Sequence, residues 1–254
     1  MKPTHPNSRE YTHDPLTAAL ESALMLERQG PEALGAEPPR PFVTISRQAW
    51  AGGQPFGYAL RDRLNSEVPE EGPRWTYWDD ELVQKVSRDH ALAQAYVAAL
   101  EDQPHGWFAE FLGGLSFGGH DSRPDEFKVY RRVASTIRAL ARAGHAIIVG
   151  RGGAFIAGDL PGGVHLRLVA PFAFRARLMS QHMNVSQRAG ADAVAEIDQN
   201  RSAFFRRYWP GKSTDAESFT MTLNSSKMSI PQMVACVAPM LAPVDSPSMV
   251  GQFA

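Results

Sequence analysis

The sequence predicts an α/β fold, in which helices cover both faces of a mainly parallel sheet. Strand-like and helix-like segments alternate along it, and such alternation implies right-handed crossovers between parallel strands. The first strand candidate opens with Phe42, Val43 and Ile45, a short apolar run bounded by turn signals, as suits a strand buried on both faces. A length of 254 residues, 43% hydrophobic and 21% charged, gives a globular chain that can bury a substantial core.

Taken in order, residues 1–40 read as a poorly ordered leader, with six prolines and six acids against four bases. One amphipathic helix at Leu16–Arg28 is the exception, and it carries no assigned chemistry. After the first strand, Gly52-Gly53 allow a tight turn, and Pro55 suits the first position of a helix. The core side of that helix is Phe56, Ala59, Leu60 and Leu64. Pro69–Pro73 is an acidic turn, and Trp75–Trp78 is a short second strand. Asp79-Asp80 then stand where one carboxylate caps a helix at Glu81–Arg88 and the other faces the ligand side of the sheet. Gln103–Pro124, rich in glycine and aromatic residues, reads as a packed loop or as a cover over a flat ligand. Asp125–Gly144 is the clearest helix: Phe127, Tyr130, Val133, Ile137 and Leu140 share one face, and Gly144 closes it. Lys128, Arg131, Arg132, Arg138 and Arg142 make its opposite, solvated face. His145–Gly150 and Val164–Ala170 are the next strands; Pro171 ends the second and starts a helix running to about His182. Phe219–Asn224 is the last strand and Ser229–Leu241 the last helix. The organisation is therefore one body at 41–242, with a lid at about 184–212 and a patternless tail at 243–254.

A net charge of −1 argues against general nucleic-acid affinity, which needs a strongly basic face. Cys236, the single cysteine, leaves no internal disulfide and no cysteine metal cluster; it reads as a small core residue on a helix. The eight histidines lack metal-ligand spacing, so no metal ligand is assigned, and His145, His165 and His182 read as structural or solvent-facing. No apolar run approaches the ~18 residues of a membrane span, and no signal-peptide core opens the chain. A soluble, cytoplasmic protein is expected, with its oligomeric state open.

The polar strand ends Ser46-Arg47, Asp79-Asp80, Gly150-Arg151 and Asn224-Ser225 converge on one rim of such a sheet, where ligands bind. A strand, a glycine turn and a helix N-terminus form an anion site, because free amides and the helix dipole both favour phosphate. The match to the phosphate-loop pattern G-x-x-x-x-G-K-[ST] is partial. Arg47 takes the first Gly position and Gly52 the second; Gly53 stands for the Lys and Gln54 for the Mg²⁺-binding Ser or Thr. Alone, this loop is equally a plain strand-to-helix turn. From Arg167 to Lys212 there are eight basic residues and only three acids. Singly, each arginine reads as part of a solvated helix with ion pairs such as Asp198–Arg201. As a group they point to phosphate, which arginine grips bidentately, held by a helical segment that can swing over the rim.

The ordered set VTISRQ…GGQPFG, YWDDELV, AIIVGRGGAFI, VHLRLVAP, IDQNRSAFFRRYW and FTMTLNSSKMS resembles the cytidylate kinase-like proteins. These are a branch of the P-loop nucleoside monophosphate kinases, and the resemblance runs from about Phe42 to Leu241. It implies a three-layer fold with a five-stranded parallel sheet and a helical lid, ATP with Mg²⁺ as donor, and a nucleoside monophosphate of cytidylate type as acceptor. It places Gly52, Gly53 and Gln54 in the phosphate loop, with Ser46 and Arg47 beside them as donor contacts. It assigns Arg151 and Asp79 to the acceptor, with Arg131 as a further candidate. Asp198 and Arg201 match the lid's Asp-x-x-Arg and, with Arg206 and Arg207 close behind, are the catalytic candidates. This chain departs from the pattern at Gly53, where true cytidylate kinases have Lys, and at Trp50, Ala51 and Gln54, where the branch has Gly, Ser and Arg. It also has Gly152 where cytidylate kinases have Asp. Loss of one charge-stabilising donor costs ~10²–10³ in rate, so a loop without Lys stays active if Arg47 or a lid arginine supplies the charge. The rival readings are a degraded kinase that senses nucleotide, and a kinase for another phosphate acceptor with Trp107–Phe117 shaping its pocket.

Overall fold

The computed structural model describes residues 39–79, 124–150 and 152–241, without the side chains of 124–129, 131 and 132. The expected leader helix, the helix at Glu81–Arg88, the aromatic stretch Gln103–Pro124 up to Arg123, Arg151 and the tail lie outside the described residues.

The sheet is formed by β1 (Phe42–Arg47), β2 (Thr76–Trp78), β3 (Ala146–Val149), β4 (Gly163–Val169) and β5 (Met221–Asn224). Its order is β2-β3-β1-β4-β5 and every pairing is parallel, as the α/β reading requires. The described helices are α1 (Gly53–Asn65), α2 (Pro124–Ala143), α3 (Gly153–Ile156), α4 (Phe172–Met183), α5 (Gln187–Tyr208) and α6 (Ile230–Val237). Central β1 and β3 are buried along their apolar residues, which explains their unbroken hydrophobic runs. On one face, Phe56, Leu60 and Leu64 of α1 and Met233 and Val237 of α6 pack on Val43, Ile45, Ile147, Leu166 and Leu168. On the other, Tyr130, Ile137 and Leu140 of α2, Ile156 of α3 and Trp209 pack on Phe42, Trp78 and Ile148. Helices therefore cover both faces.

Some expectations need correction. α1 starts at Gly53, because Gly52 caps it in the left-handed region at φ 80°. Pro55 is thus the third helical residue, still within the first turn, where an absent N–H breaks no intrahelical bond. Arg138 does not sit on a solvated face: it is 3% exposed. Its guanidinium donates to the Ile156 carbonyl at 2.7 Å and bidentately to Asp159 at 2.6 and 2.9 Å. Hydrogen bonding to a carboxylate makes that burial tolerable. Cys236 is exposed, because the buried stripe of α6 is Met233, Val234 and Val237. That helix is capped by Ser229 with a reciprocal Gln232 bond, and its last turn, Ala238–Leu241, tightens to 3₁₀.

Candidate functional site

The C-terminal ends of all five parallel strands share one rim, and the loop Gln48–Gly52 crosses it between β1 and α1. The loop is pinned to β4: the Gln48 amide donates to the Leu168 carbonyl at 3.1 Å, and the Gln48 side-chain oxygen accepts from the Ala170 amide at 3.0 Å. In front of Gly52 the space is open, with nothing within 4 Å of where a Cβ would stand. The amides of Gly53 and Gln54 belong to the first helical turn, which has no acceptor within the helix.

Arg47 occupies this corner with its own side chain. A Cβ on Gly53 would stand 3.0 Å from the Arg47 Cγ, and one on Gly150 would stand 1.9 Å from a terminal nitrogen of its guanidinium. The side chain thus runs across the start of α1 to the end of β3, along a path that two glycines leave open. Burial lowers its pKa, partly offset by its electrostatic interactions with Tyr77 and Asp79. Asp79, at the end of β2, is thereby the nearby acid for Arg47. The Tyr77 hydroxyl is buried without a partner among the described residues, and burial, then Asp79, pushes its pKa up.

The hairpin of α4 and α5 is fastened to the loop by a clamp. Asp198 accepts from the Ala49 amide at 2.8 Å through one oxygen and from Arg175 at 2.5 Å through the other. Arg175 also donates to the carbonyls of Ala170 at 2.9 Å and Ala49 at 3.1 Å. The ion pair expected of Asp198 with Arg201 is therefore made with Arg175 instead, from the neighbouring helix. In the sequence Arg175 is one of the eight bases between Arg167 and Lys212. The signal for it was present: an arginine on α4 beside Ala176, followed by an acid on the next helix.

Under α5 lies a cavity of about 800 Å³, bounded by Ser46, Arg47 and Gly150 at the rim and by Phe155 below. Five cations line it: Arg47, Arg167, Arg201, Arg206 and Lys212. Among the described residues that line it, Asp198 is the one acid, and the clamp already engages it. Arg201 donates to the Arg47 carbonyl at 3.4 Å, and burial, then the charge of Arg47, pushes its pKa down to about 10. Arg167 is lowered by burial, with Asp215 in partial opposition. Desolvated like charges facing one space are stabilised by an anion brought between them.

The structure thus brings Ser46, Arg47, Asp198, Arg201 and Arg206 of the expected residues to one cavity. Gly52, Gly53 and Gln54 adjoin it at the loop without lining it. Arg207 points elsewhere, exposed, with its guanidinium over Tyr208 at 5.7 Å. Arg151 and the Arg131 side chain lie outside the described residues. Arg167 and Lys212, counted in the sequence only as part of a basic run, belong to the lining.

A sequence profile of the cytidylate kinase-like family matches residues 42–227. The chain belongs to the cytidylate kinase-like family. That membership supports a kinase-like phosphotransfer function. No curated protein matches the sequence. Among solved structures, an uncharacterized protein from Eubacterium ventriosum ATCC 27560 aligns with a TM-score of 0.58 at 15% identity, covering 80% of this chain and 98% of that one. A shikimate kinase from Bacteroides thetaiotaomicron aligns at 0.43 and 11% identity, covering 79% and 98%. The protein TT1252 from Thermus thermophilus aligns at 0.40 and 15% identity, covering 80% and 98%. The first of these shows a shared fold. In the loop of this chain the cation stands at 47 and the glycine at 53. Among the described residues no helix is long and apolar enough to cross a membrane.

Proposed function

We propose that this protein transfers a phosphoryl group from ATP to a nucleoside monophosphate, with a cytidylate-type acceptor, in the cytoplasm where both are supplied. The observation that carries the reading is the set of five cations that, among the described residues, line one cavity beside a glycine loop, with a single, already engaged acid among them. The residues present suit a polyphosphate: open space before Gly52, first-turn amides, and the partly desolvated guanidinium groups of Arg47 and Arg201. No group of three or more His, Cys, Asp or Glu side chains that could hold a metal occurs among the described residues, so Mg²⁺ would arrive with the donor phosphates.

ATP supplies the transferable group when bound. The first-turn amides and Arg47 hold its phosphates; Ser46 lies beside them, and Gln54 takes the place of a hydroxyl ligand. Arg201 and Arg206 neutralise charge on the group in transit, and Asp198 acts by fixing α5 against the loop. Asp79, with Arg151 and Arg131, serves the acceptor side. Segment 184–212 acts as the lid that excludes water from the transfer. Catalysis is then positioning and charge neutralisation, without a protein nucleophile.

A coupled assay with ATP and CMP, dCMP, UMP or AMP tests this, and absence of diphosphate product with every acceptor overturns it. One second reading has its own observations: Gly53 and Gln54 replace the usual loop residues, and Asp198 occupies a loop amide. That reading is a nucleotide sensor, distinguished calorimetrically by tight binding without turnover.

A further inference from the structure

We propose that the end of the cavity away from the loop is a second anion subsite, built by Arg167 and Lys212, which holds a further phosphate on the acceptor. The inference rests on the phosphotransfer reading above and narrows it: the acceptor bears a second phosphate away from its 5′ end. Arg167 and Lys212 have no part in the transfer itself, yet both line the cavity. No carboxylate pairs with Arg167 among the described residues; Asp215 acts on it as a charge at longer range and is itself exposed, so it offsets little. The Arg167 guanidinium lies over the Phe219 ring at 5.3 Å, and that ring meets Phe155 edge-on at 6.0 Å. A half-buried cation seated on an aromatic face is oriented before any ligand arrives.

Distance separates this subsite from the loop corner. The Arg47 guanidinium rests against Gly150, at the end of β3, whereas Arg167 stands at the same level on β4, with β1 between them. Two strand spacings put those positions about 9–10 Å apart. Arg167 leans further away still, towards Phe219 on the β5 side. One phosphate accepts from donors only about 3 Å off, so an anion held at Arg47 leaves Arg167 without counter-charge. Two phosphates on one pentose, each a hydrogen bond from its guanidinium, meet that span. The interaction with Asp215 places its neighbours Lys212 and Thr214, which line the cavity too, on the Arg167 side. A guanidinium, an ammonium and a hydroxyl offer enough donors for the three free oxygens of a phosphate, more than a carboxylate needs.

The test is calorimetry on the full chain with CMP, CDP and cytidine 3′,5′-bisphosphate. CDP is the control, because its added phosphate extends the 5′ end and brings charge without reaching across. The bisphosphate is expected to bind at least about 10-fold tighter than CMP. Arg167→Met should cut that advantage about 10-fold, and Lys212→Met about 3-fold, while the ratio of CDP to CMP stays as in the wild type. Equal affinity for CMP and the bisphosphate overturns the subsite and leaves the phosphotransfer reading standing. So does an advantage untouched by Arg167→Met, or an equal loss for CDP, which would assign Arg167 to the 5′ chain. Binding of none of the three probes overturns both readings. Should Arg167→Met fail to fold, the exposed Lys212→Met decides.

Discussion

The clamp of Arg175 and Asp198 fixes α5 to the loop, and its strength can be worked from the geometry. The Arg175 side chain is 5% exposed and that of Asp198 28%, so the pair lies between two regimes. An exposed ion pair contributes about 0–1 kcal/mol, whereas removing one partner of a fully buried pair costs about 3–5 kcal/mol. Arg175 keeps the carbonyls of Ala49 and Ala170 in any Asp198 variant, which limits the loss. Asp198→Ala also strips the Ala49 amide of its acceptor, and the two effects together give a cost of about 3 kcal/mol. Asp198→Asn retains an acceptor for that amide and is expected to cost about half as much, near 1.5 kcal/mol. Arg175→Met should cost about 2 kcal/mol, and the Asp198→Ala/Arg175→Met pair should show a coupling of about 1–2 kcal/mol. Urea denaturation followed by circular dichroism reads these values directly, provided the slope with denaturant is unchanged. A coupling under about 0.5 kcal/mol would mean that the contact holds nothing in place.

Arg201→Met should stabilise the ligand-free protein by about 1 kcal/mol, after allowance for solvent screening of a partly exposed charge. The same change should weaken binding of ATP or tripolyphosphate by about 10-fold or more, so urea melts and calorimetry are expected to move in opposite directions. Asp159 gives a pH signature: burial alone would raise its pKa, but the hydrogen bond and charge of Arg138 outweigh that and hold it below 3.8. Its contribution is therefore complete above pH 3.8 and lost as pH falls through the lowered value. Acid titration of the urea midpoint should show a smaller decline in Asp159→Asn than in the wild type. Gly152→Ala forces both a left-handed alanine and a clash with Trp209, and should cost about 2–3 kcal/mol in the same melts.

The layout of this fold was largely legible in the sequence, because its signals are local. The apolar runs at β1 and β3, the helical stripe from Tyr130 to Leu140 and the glycine at 144 each declare an element without knowledge of its neighbours. Where the sequence misled, the deciding partner was distant. Arg138 looked solvated because Asp159 lies 21 residues away, and Arg175 looked ordinary because Asp198 lies 23 away. The start of α1 turned on a positive φ at Gly52, which composition permits but does not announce. The cation group on α5 was visible as a run; which members line the cavity was not, since Arg206 and Arg207 are both exposed and differ only in their angle about the helix axis.

The passage of Arg47 between two glycines makes positions 47, 53 and 150 sterically dependent on one another. A lysine at 53 would supply the loop cation of the pattern, yet its Cβ would stand 3.0 Å from the Arg47 Cγ and press on that stem. Gly53→Lys alone is therefore expected to impair anion binding in calorimetry, while Gly53→Lys with Arg47→Gly recovers it. A loop of this kind is better judged by which position delivers charge to the corner than by whether its letters match a pattern.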